Sequence, residues 1–255
     1  MTGLCSALFF LLGAATGSFI NVIADRLPEG RSIISPPSHC PKCQQTLSAR
    51  DLIPIFSYLL LKGHCRYCGA TIPMRLFWVE LGTAMLFAFL YWRYGLSWEL
   101  MIVAFYCCLF IALIAIDLEH NILPNRIVYP GMVIAGATAL VAEFMPVATQ
   151  PGLARTAIGG IIGFCFLLLP ALIYRGGMGW GDVKLAGLIG LVTGFPLVLP
   201  ALLLAIISGG LTATLLLLLK VKGRKDPIPF GPFLSVAAMV TLLWGNNLLE
   251  WLDIP

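Results

Sequence analysis

Eight runs of apolar residues, most of them close to membrane length, decide what this chain can fold into. They fall at 4–24, 76–93, 98–116, 127–144, 155–174, 184–199, 200–219 and 232–250. A helix needs about 20 apolar residues to cross roughly 30 Å of hydrocarbon. With 59% hydrophobic residues, 11% charged residues and a mean hydropathy of +0.94, the chain lacks the polar surface that a water-soluble globule of its size requires. The expectation is an all-α polytopic membrane protein with about eight transmembrane helices. Gly194, Pro196 and Pro200 interrupt one long stretch, which reads as two short helices or as one re-entrant hairpin. No Lys or Arg precedes the first run and it is long, so it is read as a span and not as a cleaved signal peptide.

The basic residues set an orientation. Numbering the connections alternately puts Arg26, Arg31, Lys42, Arg50, Lys62, Arg66, Arg75, Arg126, Arg175, Lys184, Lys220, Lys222, Arg224 and Lys225 on one face, and only Arg93 and Arg155 on the other. The positive-inside rule makes the rich face cytoplasmic and both termini external. The net charge of +4 is therefore a topology signal. The cluster from Lys220 to Lys225 reads as a juxtamembrane anchor in contact with lipid headgroups. Nucleic-acid binding is not expected, because no basic surface interleaved with aromatics is present. No low-complexity tract or fixed-period repeat is evident.

Three segments follow from this: a first transmembrane helix at 1–24, a cytoplasmic cysteine-rich loop at 25–75, and a multi-helix transmembrane domain at 76–255. The loop carries Cys40-Pro41-Lys42-Cys43 and Cys65-Arg66-Tyr67-Cys68, two Cys-x-x-Cys knuckles with 21 residues between them. Four thiolates so spaced suit a tetrahedral zinc ion, and a reducing compartment disfavours the alternative of two disulfides. Four sulfurs fill the coordination shell, so the metal is expected to be structural and to supply folding energy to a small zinc-knuckle subdomain. His39 and His64 each precede a knuckle cysteine and are alternative ligands. Cys5, Cys107, Cys108 and Cys165 lie in apolar spans and read as small core residues.

Two aspartates stand where apolar runs end. Asp117 lies in Ile116-Asp117-Leu118-Glu119-His120 and Asp182 in Gly179-Trp180-Gly181-Asp182-Val183-Lys184. Carboxylates at such places mark function, and the charge topology puts both on the cytoplasmic side. Two neighbouring carboxylates share a proton, one serving as base and the other as acid toward water, which suffices to hydrolyse a peptide bond. Gly176, Gly177, Gly179 and Gly181 allow another chain to approach closely. A nucleotide-phosphate loop is excluded by the absence of a Gly-Lys-Ser/Thr ending. A flexible turn with an exposed aspartate is the structural alternative. Glu119 is a rival carboxylate, and His120 is either a hydrogen-bond partner near Asp117 or a solvated loop residue. A proton relay or transporter would also keep such acids, though nearer mid-membrane, and an assembly scaffold would keep the knuckles.

These motifs together resemble the type IV prepilin peptidases, bifunctional leader peptidases and N-methyltransferases of pilus, type II secretion and DNA-uptake systems. Gly179 to Lys184 is similar to the family's Gly-x-Gly-Asp-x-Lys motif. Asp117 resembles its partner, and Gly17 to Pro28 resembles the N-terminal signature. The likeness runs from about residue 10 to about 235. It implies an aspartic endopeptidase of the bacterial inner membrane with Asp117 and Asp182 catalytic and Gly179, Gly181 and Lys184 in the active-site loop. The paired knuckles of Cys40, Cys43, Cys65 and Cys68, read above as the zinc ligands, resemble the family's cytoplasmic cysteine loop. Substrates would be prepilins or pseudopilins with a basic leader and an N-terminal hydrophobic helix lying against the enzyme's spans in lipid. S-adenosylmethionine would methylate the freed amine at a site the residues do not locate. Many relatives carry aspartate where this chain has Asn125, so that position is given no catalytic role.

Overall fold

The computed structural model describes residues 2–144, 151–173, 179–221, 223 and 228–251. Gly176, Gly177 and Arg175, and Lys222, Arg224 and Lys225 of the basic cluster, lie outside the described residues. Those described form helices and no strand: α1 (Thr2–Arg26), a 3-10 turn η1 (Ala49–Leu52), α2 (Phe56–Leu60), α3 (Met74–Tyr94), α4 (Trp98–His120), α5 (Asn125–Phe144), α6 (Leu153–Ile173), α7 (Trp180–Thr193), α8 (Val198–Leu218) and α9 (Gly231–Trp251). The fold is all-α and every long apolar run meets a helix. Compact units divide the chain between Ala115 and Ile116.

In the first unit α1 and α3 pair antiparallel. Gly17 lets the backbones meet: a Cβ there would lie 2.7 Å from Glu80 Cα, and one at Gly13 would lie 2.6 Å from the Thr83 carbonyl oxygen. Phe9 stacks on Tyr91 toward one end, with ring centroids 4.7 Å apart. At the other end Asn21 Nδ2 donates to the Leu76 carbonyl (3.0 Å), and Arg75 donates to Asn21 Oδ1 and pairs with Asp25. The polar residues of the segment Gly17 to Pro28 thus close the α1–α3 pair at its charged end.

In the second unit α6 and α7 approach almost backbone to backbone. A Cβ on Gly190 would stand 2.0 Å from the Gly159 carbonyl oxygen, and one on Gly163 would stand 2.2 Å from that of Ala186. Phe195 N donates to the Arg155 carbonyl (2.9 Å), which anchors the far end of α7 to the start of α6. Pairing 159 with 190 and 163 with 186 sets Asp182 level with Leu167, six residues before α6 ends at Ile173. At 1.5 Å per residue, the start of α7 lies about 9 Å below the level of Ile173, the last described residue of α6. A Cβ on Gly209 of α8 would lie 3.0 Å from the Phe230 ring, so α9 likewise begins well below the end of α8 at Leu218.

Six helices among the described residues, α1, α3, α4, α5, α6 and α8, are long and apolar enough to cross a membrane. Of the other two long helices, α7 has 14 residues, about 21 Å of helix, and α9 has 21 residues with a break in helical geometry at Trp244. Both start at the recessed level and run to the far side, where Gly245 meets Leu197.

Candidate active site and metal centre

Three helix ends meet at the recessed level of the second unit. Asp117, in the last turn of α4, is 5% exposed. Glu119, two residues on, is exposed, which separates the two carboxylates physically. Gly231, opening α9, donates its backbone N–H to Asp117 Oδ2 at 3.0 Å. The approach requires glycine, since a Cβ at 231 would fall 2.6 Å from that oxygen. Leu123 holds the group together: it is the nearest neighbour of Gly181, 3.0 Å from a Cβ placed there, and it also touches the Cβ position of Gly231 at 3.2 Å. Gly181 makes room for this leucine.

Asp182 lies in the first turn of α7, ahead of its apolar run and outside the six candidate spans. Gly179 caps the helix in extended conformation and its carbonyl accepts from Asp182 N at 3.1 Å. Burial pushes the Asp182 carboxyl up to about 6, the nearby charge of Asp117 adds to this, and a backbone hydrogen bond with Gly179 pulls the other way. The two carboxylates are therefore near enough to act on each other's protonation. Lys184 does not join them. Its Nζ donates to Asn125 Oδ1 at 3.0 Å and stands 5.4 Å from the centre of the Tyr129 ring, tying α7 to the start of α5. His120 Nε2 is buried and has no hydrogen-bond partner among the described residues, so that nitrogen makes no bond beside Asp117 and is not the solvated one of a loop residue.

Two residues of this site carry no functional signal in the motifs. Gly231 carries no titratable group, and its signal was a glycine between Phe230 and Pro232 at the head of an apolar run. Asn125 had been given no catalytic role, and it serves as the acceptor for Lys184.

The cysteine loop builds two copies of one turn. Cys40 N donates to the Gln45 carbonyl and Gln44 N to that of Cys40; Cys65 N donates to Ala70 and Gly69 N to Cys65 in the same way. Gln44 (φ 58°) and Gly69 (φ 69°) take the left-handed conformation at matching positions, and single bridges His39–Thr46 and His64–Thr71 close each turn. The sulfurs of Cys40, Cys43, Cys65 and Cys68 lie within 4.8 Å of one another. The Cys40–Cys68 separation of 3.8 Å is far from a disulfide's roughly 2.05 Å. It matches the edge of a tetrahedron whose centre lies about 2.3 Å from each sulfur, the zinc–thiolate distance. Backbone hydrogen bonds with Cys43 and Lys42 pull the Cys40 thiol down to about 6. Cys68, although drawn down by Ala70, is pushed up to about 11 by burial and its three sulfur neighbours. Four sulfurs so close favour sharing a cation over holding four protons.

The histidines are not part of this group: His39 Nδ1 meets the Pro37 carbonyl at 3.1 Å and His64 Nδ1 that of Lys62 at 2.7 Å. Asp51 staples η1 to the second knuckle, accepting from Arg66 Nε (2.7 Å), Tyr67 Oη (3.1 Å) and Ser48 Oγ (2.7 Å). Arg66 first, then Ser48, hold its carboxyl well below the usual carboxylate range. Of the other cysteines, Cys107 is buried, Cys5 and Cys108 are half-buried, and Cys165 is exposed on α6, contrary to the core role expected for it.

Residues 11–94 match the bacterial peptidase A24 N-terminal domain, and residues 104–214 match the type IV leader peptidase family. A prepilin leader peptidase/N-methyltransferase of Bacillus subtilis is 33% identical over 96% of this chain and 96% of its own. One of Xanthomonas campestris is 32% identical over 94% and 91%, and one of Pseudomonas aeruginosa 30% over 93% and 90%. No solved structure matches.

Proposed function

Because the chain belongs to the type IV leader peptidase family, we propose that it removes the basic leader from type IV prepilins or pseudopilins at the cytoplasmic face of a bacterial inner membrane. It then methylates the new N-terminus with S-adenosylmethionine. The observation that carries the peptidase reading is the meeting of Asp117 and Asp182 at a level recessed beneath the ends of α6 and α8, with Gly231 fixing one of them.

The geometry divides the labour. Asp182, held toward its protonated form, donates to the scissile carbonyl oxygen. Asp117 has one oxygen tied to the Gly231 N–H and uses the dyad's negative charge to take a proton from water as the water oxygen bonds to the carbonyl carbon. The tetrahedral intermediate collapses as a carboxyl returns a proton to the departing amine. Lys184, fixed on Asn125, positions the first turn of α7. In the second activity S-adenosylmethionine would supply a methyl group to the freed amine, its sulfonium C–S bond breaking to release the thioether S-adenosylhomocysteine and the amine losing a proton to solvent; no residues are assigned to that site. Zinc at the four cysteines supplies a structural cross-link between the two knuckles.

Mass spectrometry of a prepilin incubated with the purified protein, with and without S-adenosylmethionine, tests both activities. Leader loss is expected in either case and a methyl increment only with the donor. Asp117→Asn and Asp182→Asn are expected to abolish cleavage at normal membrane levels while still methylating a pre-cleaved substrate. Normal processing by either variant sinks the dyad.

A further inference from the structure

The cysteine loop was read as wholly cytoplasmic, yet it contains ten residues of a different character, Leu52-Ile53-Pro54-Ile55-Phe56-Ser57-Tyr58-Leu59-Leu60-Leu61, between Asp51 and Lys62. An apolar run of that length is too short to span and is of the size found in re-entrant or interfacial segments. Its position in the first unit is the telling fact. Ile55 is buried in one cluster with Ala14 of α1 and Ala84 of α3, with Phe10, Phe77 and Leu81 packed around them. Ala84 lies nine residues along α3 from Arg75, and Ala14 eleven along α1 from Asp25. Arg75 and Asp25 are the ion pair that closes the helix pair at its charged end. At 1.5 Å per residue, those alanines lie about 13–16 Å beyond that charged boundary, and Glu80, whose carboxylate the Ile55 N–H reaches, about 7–8 Å beyond it, so Ile55 sits alongside the membrane-crossing part of both helices.

A turn at that depth must satisfy its backbone without water. Phe56 N donates to Pro54, Ser57 N to Ile53, Leu59 N to Ile55, Leu61 N to Ser57 and Gly63 N to Tyr58. Ile55 N, at a residue with φ 64°, donates to Glu80 Oε2 at 2.7 Å. Glu80 is 8% exposed, seven residues into the 21-residue span of α3, a placement that calls for a role, and accepting this N–H is one. The side chains turned away from α1 and α3 are Leu52, Ile53, Phe56, Leu59 and Leu60, spaced at helical intervals and 44–79% exposed.

We propose that Leu52–Leu61 is a wedge inserted into the acyl region of the leaflet on the cysteine-loop side, hooked to α3 by Glu80, with Leu52, Ile53, Phe56, Leu59 and Leu60 against lipid chains. The occupant is lipid because the face is continuous with the lipid-facing sides of two membrane helices, Leu11 and Leu12 on α1 and Trp78 and Met85 on α3, all exposed and apolar. Arg50 and Lys62 flank the run as headgroup-level anchors. The cysteine knuckles thereby rest on the bilayer surface with one edge sunk into it. The inference depends on the membrane fold alone and not on the peptidase reading.

The test places a photoreactive benzoyl-phenylalanine at Phe56 or Leu60, and as a control at exposed Gln45, in the full chain reconstituted into phosphatidylethanolamine/phosphatidylglycerol vesicles. Covalent lipid adducts are expected at Phe56 and Leu60, several-fold above Gln45. Adducts only to protein, whether a second copy or an added prepilin, or equal lipid labelling at all three positions, would overturn the wedge. Phe56 already carries the probe's phenylalanine core and is 56% exposed, so the added benzoyl group extends outward from the fold. Glu80→Leu is expected to lower the Phe56 lipid adduct several-fold and Glu80→Gln, which still accepts the Ile55 N–H, to restore it; no difference between the two overturns the role of Glu80.

Discussion

Gly231 shows how a residue without a side chain governs one that has chemistry. Its N–H holds Asp117, and a methyl group there would compete for the space of the carboxylate oxygen. Gly231→Ala is expected to insert normally and to cut cleavage about a hundredfold, the usual consequence of displacing a reacting group by about 1 Å; a prepilin cleavage assay decides it. Asp182 carries a second prediction. Its folded-state value of about 6 lies above that of an unfolded chain, so it is neutral and harmless below the ordinary carboxylate range. Stability is lost from the ordinary carboxylate range up to about 6, where an unfolded chain has shed the proton that the folded group still holds, and no more is lost above that. Asp182→Asn should therefore be more stable than the parent at pH 8, by roughly 2 kcal/mol, with the gap shrinking as pH falls below about 6 and closing below the ordinary carboxylate range in thermal unfolding in detergent. The aspartates were legible because a carboxylate at the end of an apolar run is costly wherever it sits. Gly231 was not, because its contribution is a backbone N–H, which every residue but proline possesses.

Among the elements, α7 has the strictest demands. Its glycines face those of α6 with backbone atoms in contact, so Gly190→Ala must force the helices apart, costing about 1–3 kcal/mol or more and moving Asp182 with them. Gly136 on α5 faces open space, and alanine there is expected to be neutral or to stabilise by up to about 1 kcal/mol. Thermal unfolding and cleavage of the two variants side by side check both. Hydrophobic runs revealed where the helices are, since a bilayer demands continuous apolar length. They did not reveal that α7 and α9 begin lower than their neighbours, because depth depends on which glycines interlock. Nor did they distinguish Leu52–Leu61 from the polar loop around it: ten apolar residues fall below the length that marks a span, and only the packing of Ile55 on Ala14 and Ala84 shows where they lie.

For the molecule as a whole, the two matched families divide much as the compact units do, with the knuckles in the first and the aspartates in the second. Metal analysis of the purified protein is expected to find about one equivalent of zinc, the capacity of a four-thiolate site. It should be lost in Cys40→Ser combined with Cys65→Ser, with loosening confined to the loop in hydrogen exchange. A metal-free preparation with a protected loop would refute the site. The recessed start of α7 sets a ruler for whatever is cut. A peptide entering in extended form advances about 3.3 Å per residue, so the roughly 9 Å from the level of Ile173 to that of Asp182 takes about three residues. If the headgroups lie at the level of Ile173, a leader held there by its charges presents a bond about three positions further along, and shortening or lengthening that spacer should shift where the chain is severed or stop it being severed at all.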